Sequence, residues 1–288
     1  MIPETNCTPP EVTRFAPSPT GLLHLGHAFA AGFAAQAAAG GRFLLRLEDI
    51  DTTRTKTEYE AALQEDLAWL GLHWETPVRR QSEHFDDYQK ALDRLASMNL
   101  LYPCFCTRRE IQEEIARAGH APHGPDGALY PGTCRGLSGA DRDARIRRGD
   151  PYALRLDVQR AKATVATPLH WQDLDHGIHE AQPEIFGDVV LARKETPTSY
   201  HLAVVVDDAL QGITLVTRGA DLLDATHLHR LLQELLGLPV PRWRHHRLIV
   251  DAEGKRLAKR DDARSLRTLR ADGWSAQQVW EAVGLCCQ

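Results

Sequence analysis

Residues 14–27 constrain the fold of this chain more than any other stretch. They read Arg-Phe-Ala-Pro-Ser-Pro-Thr-Gly-Leu-Leu-His-Leu-Gly-His. Pro17 and Pro19 fix their own φ angles and move the residues before them out of the helical region, and Gly21 permits a sharp bend. The alanine-rich stretch 26–39 then favours a helix, which the glycines at 40–41 end. We therefore predict an extended segment, a rigid turn and a helix start.

The start of this helix carries two histidines and a glycine: His24, Gly26 and His27. Backbone N–H groups at a helix N-terminus lack intrahelical partners, and the helix dipole places positive charge there. Both effects favour a bound phosphate. The sequence thus predicts an anion site at this turn, with two ordinary surface or core histidines as the alternative.

The segments around this turn alternate between strand and helix. This order indicates a right-handed parallel α/β unit, in which ligands bind at the carboxyl ends of the strands. Glu48 directly follows the second strand, so we expect it beside the histidine turn. The predicted strands are 12–16 and 42–47, and the predicted helices are 26–39 and 55–70.

A second α/β segment is expected in the later part of the chain. Residues 199–208, an apolar run that opens at Tyr200, are predicted to form a buried strand. Residues 213–217 are predicted to form another strand, followed by Arg218 and a helix up to Leu236. On the residues alone, Tyr200 is a packed aromatic and Arg218 a surface arginine.

Three cysteines, at positions 104, 106 and 134, are candidate metal ligands. Cys104 and Cys106 are followed, after a stretch rich in glycine and proline, by Tyr130 and Cys134. Three thiols and a fourth donor suit tetrahedral zinc. Tyr130 is an unusual ligand, so the fourth position stays open between it and the histidines 120 and 123, and three buried free cysteines are the alternative. Cys7, Cys286 and Cys287 are predicted to be free thiols.

Composition limits the classes of partner. The net charge of −5 gives no global signal for nucleic acid, so RNA contacts must come from local basic patches, such as 142–148 or 242–270. No apolar run approaches membrane-spanning length, and the N-terminal residues are not a signal peptide. We expect a cytoplasmic protein with no membrane contact and no obligate protein partner.

The string Pro-Ser-Pro-Thr-Gly-x-Leu-His-Leu-Gly-His resembles the "HIGH" motif of class I aminoacyl-tRNA synthetases, in the form found in glutamyl and glutaminyl enzymes. Arg46-x-Glu48-Asp49-x-Asp51 and the Cys-x-Cys…Tyr-x-x-x-Cys pattern resemble the same family, which implies zinc on the latter. The resemblance implies that ATP, with Mg²⁺, contacts His24, Gly26, His27 and Lys259. It implies that glutamate contacts Arg14, Phe15, Ala16, Pro17, Ser18, Glu48, Tyr200 and Arg218.

Residues 256–260 read Arg-Leu-Ala-Lys-Arg and resemble the "KMSKS" loop, in which a lysine meets the ATP phosphates. Lys259 keeps that position. Arg256 replaces the first lysine and Ala258 replaces the serine, and the missing hydroxyl removes a contact worth about 1 kcal/mol. A weakened but working loop is expected.

The resemblance covers about residues 13–270. It implies a Rossmann-like parallel α/β catalytic domain in two halves, 12–100 and 193–260, around a zinc-containing acceptor-type insertion at 101–192. A short helical segment is expected at 261–288. A glutamyl-tRNA synthetase carries a further anticodon-binding region of some hundreds of residues, whereas this sequence ends at Gln288. The sequence is in this respect similar to the glutamyl-Q tRNA(Asp) synthetase family.

That family activates glutamate with ATP and transfers it to the queuosine base in the anticodon of tRNA(Asp). The resemblance implies this activity here, with glutamate, ATP and queuosine-bearing tRNA(Asp) as partners. Two alternatives stay open: a catalytic core that charges the 3′ end of tRNA(Glu), and a zinc-containing RNA-binding protein without catalysis.

Overall fold

The computed structural model describes residues 10–117, 123–249 and 264–285. Several residues singled out in the sequence lie outside these ranges. They are Cys7, His120, Arg256, Ala258, Lys259, Cys286 and Cys287.

The first α/β unit forms as the sequence predicts. The Pro-rich turn follows the first strand, and His24 caps the first helix with its side chain, which accepts from the Gly26 N–H. The strands pair in parallel in the order β1-β2-β3. The elements are β1 (Val12–Phe15), α1 (Leu25–Ala37), β2 (Arg42–Leu47), α2 (Thr57–Trp69), β3 (Glu75–Arg80) and α3 (Phe85–Ser97).

The chain then enters a region built on a small antiparallel sheet in the order β10-β7-β4. A 3₁₀ turn at Pro183–Phe186 precedes the strand β10. The elements are β4 (Leu101–Cys104), α4 (Arg108–Arg117), β5 (His123–Gly124), β6 (Gly127–Ala128), α5 (Gly139–Arg147), β7 (Ala153–Leu156), α6 (Val158–Ala163), β8 (His170–Asp173), β9 (Gly177–Glu180) and β10 (Val190–Arg193).

The hairpin of β8 and β9 belongs to another sheet. It lies within the range 101–192, yet β8 pairs in parallel with a later strand, at Asp173 opposite Trp243. That sheet has the order β11-β12-β8-β9. The remaining elements are α7 (Tyr200–Leu210), β11 (Leu215–Gly219), α8 (Ala225–Leu236), β12 (Arg242–His246), α9 (Leu266–Ala271) and α10 (Ala276–Val283).

The segment that opens at Tyr200 is a helix, and the prediction of a strand over 199–208 was wrong. Ser199 caps α7 by accepting a hydrogen bond from the Leu202 N–H. The helix packs against α3, α8 and β10, and seven consecutive residues from Leu202 to Asp208 are buried. A helix buried on all sides is apolar all round, so its sequence resembles that of a buried strand.

The parallel sheet β1-β2-β3 and the mixed sheet β11-β12-β8-β9 adjoin along β1 and β11. The Thr214 N–H donates to the Val12 carbonyl at 3.0 Å, and the Val12 N–H donates to the Thr214 hydroxyl at 2.8 Å. Helices cover both faces: α1, α2, α9 and α10 contribute to one apolar core, and α3, α7 and α8 contribute to the other. This is the Rossmann-like α/β arrangement that the sequence predicts.

Among the described residues, no helix combines the length and the apolar character needed to cross a membrane.

Candidate functional site

The turn after β1 fixes two imidazoles against the start of α1. The Nδ1 atom of His24 accepts from the Gly26 N–H at 3.1 Å, and the Nδ1 atom of His27 accepts from the His24 N–H at 3.2 Å. The rings lie 3.9 Å apart between centroids. Because both Nδ1 atoms accept, a neutral ring carries its proton on Nε2, which makes each Nε2–H a donor.

This turn opens onto a cavity of about 470 Å³ between the ends of β1, β11 and β12. A methyl group added at Gly26 would lie 3.0 Å from the Cε1 atom of His24, so the ring would have to shift by a few tenths of an ångström. The lining comprises Thr20, His24, Gly26, His27, Phe29, Ala30, Gly219, Asp221, Leu222, His246, Arg247, Leu248 and Ile249. The size and the helix N-terminus suit a nucleotide.

A network of buried charges lies at the ends of β1 and β2. Arg46, which is fully buried, donates to Asp208 at 2.8 Å and pairs with Glu48 at 3.3 Å. Arg14 donates through Nε to the same Oδ1 atom of Asp208 at 2.9 Å and through a terminal nitrogen to the Thr217 carbonyl at 3.0 Å. Burial alone would raise the pKa of Asp208, but the two guanidinium groups outweigh it and lower that pKa. Asp208 therefore stays ionised and neutralises Arg14.

The pKa of Glu48 shifts in the opposite direction from that of Asp208. Burial raises the pKa of its carboxyl, and the charges of Arg46 and Arg14 only partly oppose that effect. Its N–H donates to the Pro17 carbonyl at 3.0 Å, which joins the ends of β1 and β2. A cationic ligand group would stabilise this largely buried carboxylate.

Arg218, at the end of β11, is held by neutral acceptors. Its Nε donates to His245 at 3.2 Å, one terminal nitrogen donates to His229 at 3.1 Å, and the other donates to the Thr226 hydroxyl. Among the described residues, no carboxylate oxygen lies within 4.0 Å of the guanidinium nitrogens. Arg218 is 7% exposed. Its charge is therefore not neutralised by a direct ion pair.

Tyr200 connects the groups of this site. Burial raises the pKa of its phenol, and the charges of Arg218, Glu48 and Arg14 act on it as well. Tyr200 is the first residue of α7, and it lies at the site although its segment is a helix and not the predicted strand. The predicted glutamate-binding residues thus lie together: Arg14, Phe15, Ala16, Pro17 and Ser18 at the end of β1, Glu48 after β2, Tyr200 on α7 and Arg218 on β11.

The predicted metal ligands also lie together. The Sγ atoms of Cys104, Cys106 and Cys134 are within 4.8 Å of one another, and those of Cys106 and Cys134 are 3.4 Å apart. The Tyr130 hydroxyl lies 3.5 Å from the Cys106 Sγ and accepts from the Cys134 N–H at 2.8 Å. Thiolates around zinc lie about 3.8 Å apart, since the Zn–S bond is about 2.3 Å. The cluster therefore fits a tetrahedral ion.

Sequence reasoning missed His229, His245 and Asp173, which contact or support Arg218. Of these three residues, His245 is the one for which strand alternation gives a signal. His245 stands opposite Arg218 in the parallel register of β11 and β12, and alternation along β12 places it on the same face as the buried Trp243.

Comparison with known proteins connects this geometry to a family. Residues 11–286 match the catalytic domain of class I tRNA synthetases (E and Q). The chain belongs to that family. The prediction of an adenylate-forming ligase of the class I synthetase type is thereby confirmed, and ATP use follows from the family.

Individual relatives agree with this assignment. The glutamyl-Q tRNA(Asp) synthetase of Rhodobacter capsulatus is 51% identical over 95% of this chain and 100% of its own length. The glutamate–tRNA ligase of Aquifex aeolicus is 40% identical, over 93% of this chain but 55% of its own. A solved glutamate-tRNA synthetase from Elizabethkingia anophelis superposes with a TM-score of 0.78 at 28% identity, and it covers 95% of this chain and 61% of its own.

Proposed function

We propose that this class I synthetase activates L-glutamate with MgATP. The observation that carries the proposal is that one site holds both Arg218, which has no direct carboxylate partner among the described residues, and the largely buried carboxylate of Glu48. Glutamate brings an ammonium group for Glu48 and a carboxylate for an arginine. The adjoining cavity of about 470 Å³ takes the nucleotide.

In the proposed reaction the α-carboxylate of glutamate attacks the α-phosphorus of ATP. The new C–O–P linkage gives glutamyl-adenylate, and the bond to pyrophosphate breaks. Catalysis of such a step consists largely of positioning and charge stabilisation. The Nε2–H donors of His24 and His27 stabilise phosphate oxygens, and Lys259 meets the charge of the leaving group. Because Asp208 neutralises Arg14, Arg218 is the better candidate for the side-chain carboxylate.

We further propose that the acceptor is queuosine in the anticodon of tRNA(Asp). The support is that several relatives of similar length carry the name glutamyl-Q tRNA(Asp) synthetase, including those of Rhodobacter capsulatus and Nocardia farcinica. A hydroxyl of the queuosine ring attacks the acyl carbon of the adenylate, and AMP leaves. The second candidate, transfer to the 3′ end of tRNA(Glu), is favoured by the similarity to glutamate–tRNA ligases.

We also propose that zinc binds Cys104, Cys106, Tyr130 and Cys134. Burial raises the pKa of Cys106, and the neighbouring thiol of Cys134 adds to that effect. A bound cation would lower the pKa values of the cysteines by stabilising their thiolates. The ion would have a structural role, since it would fix β4 against the loop that carries Cys134.

Two assays test the proposal. Glutamate-dependent exchange of labelled pyrophosphate into ATP reports activation, and Lys259→Ala should reduce its rate by about a hundredfold, as for the loss of one preorganised donor. Equal exchange by wild type and variant would contradict the role of Lys259.

Transfer is tested with labelled glutamate and tRNA(Asp) with or without queuosine. We expect label on the anticodon nucleoside of the modified tRNA alone. Equal labelling of both tRNAs, lost on mild hydrolysis of a 3′ ester, would favour the second candidate. No labelling of any tRNA, without pyrophosphate exchange, would favour an RNA-binding protein without catalysis.

A further inference from the structure

The acceptors around Arg218 have a defined direction of hydrogen bonding. His245 Nδ1 lies 2.7 Å from a carboxylate oxygen of Asp173, which is fully buried. Burial alone would raise the pKa of Asp173, but hydrogen bonds from the His245 ring, the Asp175 N–H and the His176 ring outweigh burial and lower that pKa, so the carboxylate only accepts. The proton of His245 is therefore on Nδ1, and its Nε2 lone pair accepts from the Nε–H of Arg218.

His229 has the opposite tautomer. A terminal N–H of Arg218 donates to its Nδ1, so its proton is on Nε2, which lies 3.1 Å from the Nδ1 atom of His201. The Nε2 atom of His201 lies 3.2 Å from a carboxylate oxygen of Asp126. Hydrogen bonds therefore run in one direction from Arg218 through His229 and His201 to Asp126, as they run through His245 to Asp173.

This arrangement contrasts with that of Arg14. Arg14 contacts the Asp208 carboxylate directly, so the pair is neutral toward a ligand. Among the described residues, Arg218 makes no direct carboxylate contact and is linked to Asp173 and Asp126 through imidazoles. Burial lowers the pKa values of His229 and His245, which keeps both rings neutral. The histidines fix the guanidinium in place without placing a negative charge on it. The positive charge of Arg218 is therefore available to pair with a carboxylate of the ligand.

We propose that His245 and His229 position Arg218 and determine the specificity of the site for glutamate over glutamine. The inference rests on the proposed activation of glutamate. A carboxylate ligand gains a full ion pair with Arg218, whereas an amide of the same shape gains only a hydrogen bond to a charged donor. A carboxylate in place of either histidine would neutralise the arginine and remove this difference.

The specificity test compares two variants of nearly equal shape. His229→Gln keeps a neutral acceptor for Arg218, and His229→Glu places a carboxylate there. In the pyrophosphate exchange assay we expect His229→Gln to keep the glutamate-to-glutamine ratio of kcat/KM within about threefold of wild type, because the acceptor for Arg218 stays neutral. We expect His229→Glu to lower the glutamate-to-glutamine ratio of kcat/KM at least tenfold. An unchanged ratio in His229→Glu would overturn the role in specificity.

The positioning test uses His245. His245→Leu removes the acceptor for the Nε–H of Arg218. We therefore expect it to raise KM for glutamate about tenfold, with a smaller change in kcat. His245→Gln, whose side-chain oxygen can accept from Arg218, should restore much of that loss. His176→Gln is the matched control, since His176 bonds to the same Asp173 but is half exposed and lies away from Arg218. Equal KM values in His245→Leu and His176→Gln would refute positioning.

A spectroscopic measurement needs no substrate and no variant activity. In ¹⁵N spectra of the wild-type protein at pH 7, with the two histidines assigned by their glutamine variants, His245 should show the Nδ1–H tautomer and His229 the Nε2–H tautomer. The same tautomer in both, or a protonated ring, would overturn the inference. Absence of glutamate-dependent exchange in the wild type would instead count against the proposed function, so the two failures are distinguishable.

Discussion

Asp66 on α2 is a buried carboxyl whose replacement should stabilise the protein. Its side chain is fully buried among the residues of α2 and α9, and no donor among the described residues makes a hydrogen bond to either oxygen. Arg270 approaches only to 4.0 Å and makes its shorter contact, 2.8 Å, with the exposed Glu65. Burial raises the pKa of Asp66 to about 6, and Arg270 only partly opposes this.

The magnitude follows from the pKa shift. The pKa rises from 3.8 to about 6 on folding, and each unit corresponds to about 1.4 kcal/mol. The ionised carboxyl therefore lowers the free energy of unfolding by about 3 kcal/mol at pH 7. The folded state binds the proton more tightly, so the stability that this group contributes is present below pH 3.8 and is lost as the pH rises through about 6.

The neutral isostere Asp66→Asn isolates this effect. In urea unfolding we expect it to exceed wild type by up to about 3 kcal/mol at pH 7, or about 5 °C in Tm, and by less than about 1 kcal/mol at pH 4. The control Glu65→Gln removes an exposed charge from the same helix and should change stability by less than about 1 kcal/mol. A variant no more stable than wild type at pH 7, or a difference independent of pH, would refute the reasoning.

Three further predictions concern the site. Gly26→Ala should raise KM for ATP about tenfold by displacing the His24 ring, without loss of thermal stability, since alanine favours a helix; an unchanged KM in pyrophosphate exchange would contradict it. Cys134→Ser should lose zinc in metal analysis and lower Tm, and the wild type should carry one zinc per chain; a wild type without zinc would exclude the metal site. Asp208→Ala should lower the free energy of unfolding by about 3–5 kcal/mol, because it leaves Arg46 without its nearest carboxylate; a loss below 1 kcal/mol in urea unfolding would argue against the network.

The sequence predicted those helices and strands whose local residue preferences agree with their environment in the folded protein. The turn at Pro17 and Pro19, the alanine-rich α1 and the apolar β2 combine strong propensities with clear ends, and the structure has them within two residues of the predicted bounds. The structure brings the three predicted cysteine ligands together; their spacing left buried free thiols as an equal alternative, and the resemblance to the family favoured the metal site.

The wrong prediction for residues 199–208 and the missed support of Arg218 both have physical causes. The run from Tyr200 has β-branched residues and no amphipathic period, since neighbours cover all sides of α7, so tertiary packing overrides a local strand preference. The support of Arg218 was not predictable, because His229, His245 and Asp173 are scattered along the chain and come together only through the register of β11, β12 and β8. Sequence patterns identify residues that touch a ligand more readily than those that hold them.

The placement of β8 has a consequence for shortening this protein by deletion. Along the chain, the hairpin of β8 and β9 lies between β4 and β10, so excising that whole stretch would seem to leave a smaller α/β domain. In space, β8 is a strand of the sheet beside β12, and its Asp173 is the acceptor for His245. Such an excision would remove a sheet strand and leave a buried imidazole without its carboxylate. A shortened domain should therefore retain residues 169–181, joined by a new linker to α3 and β10.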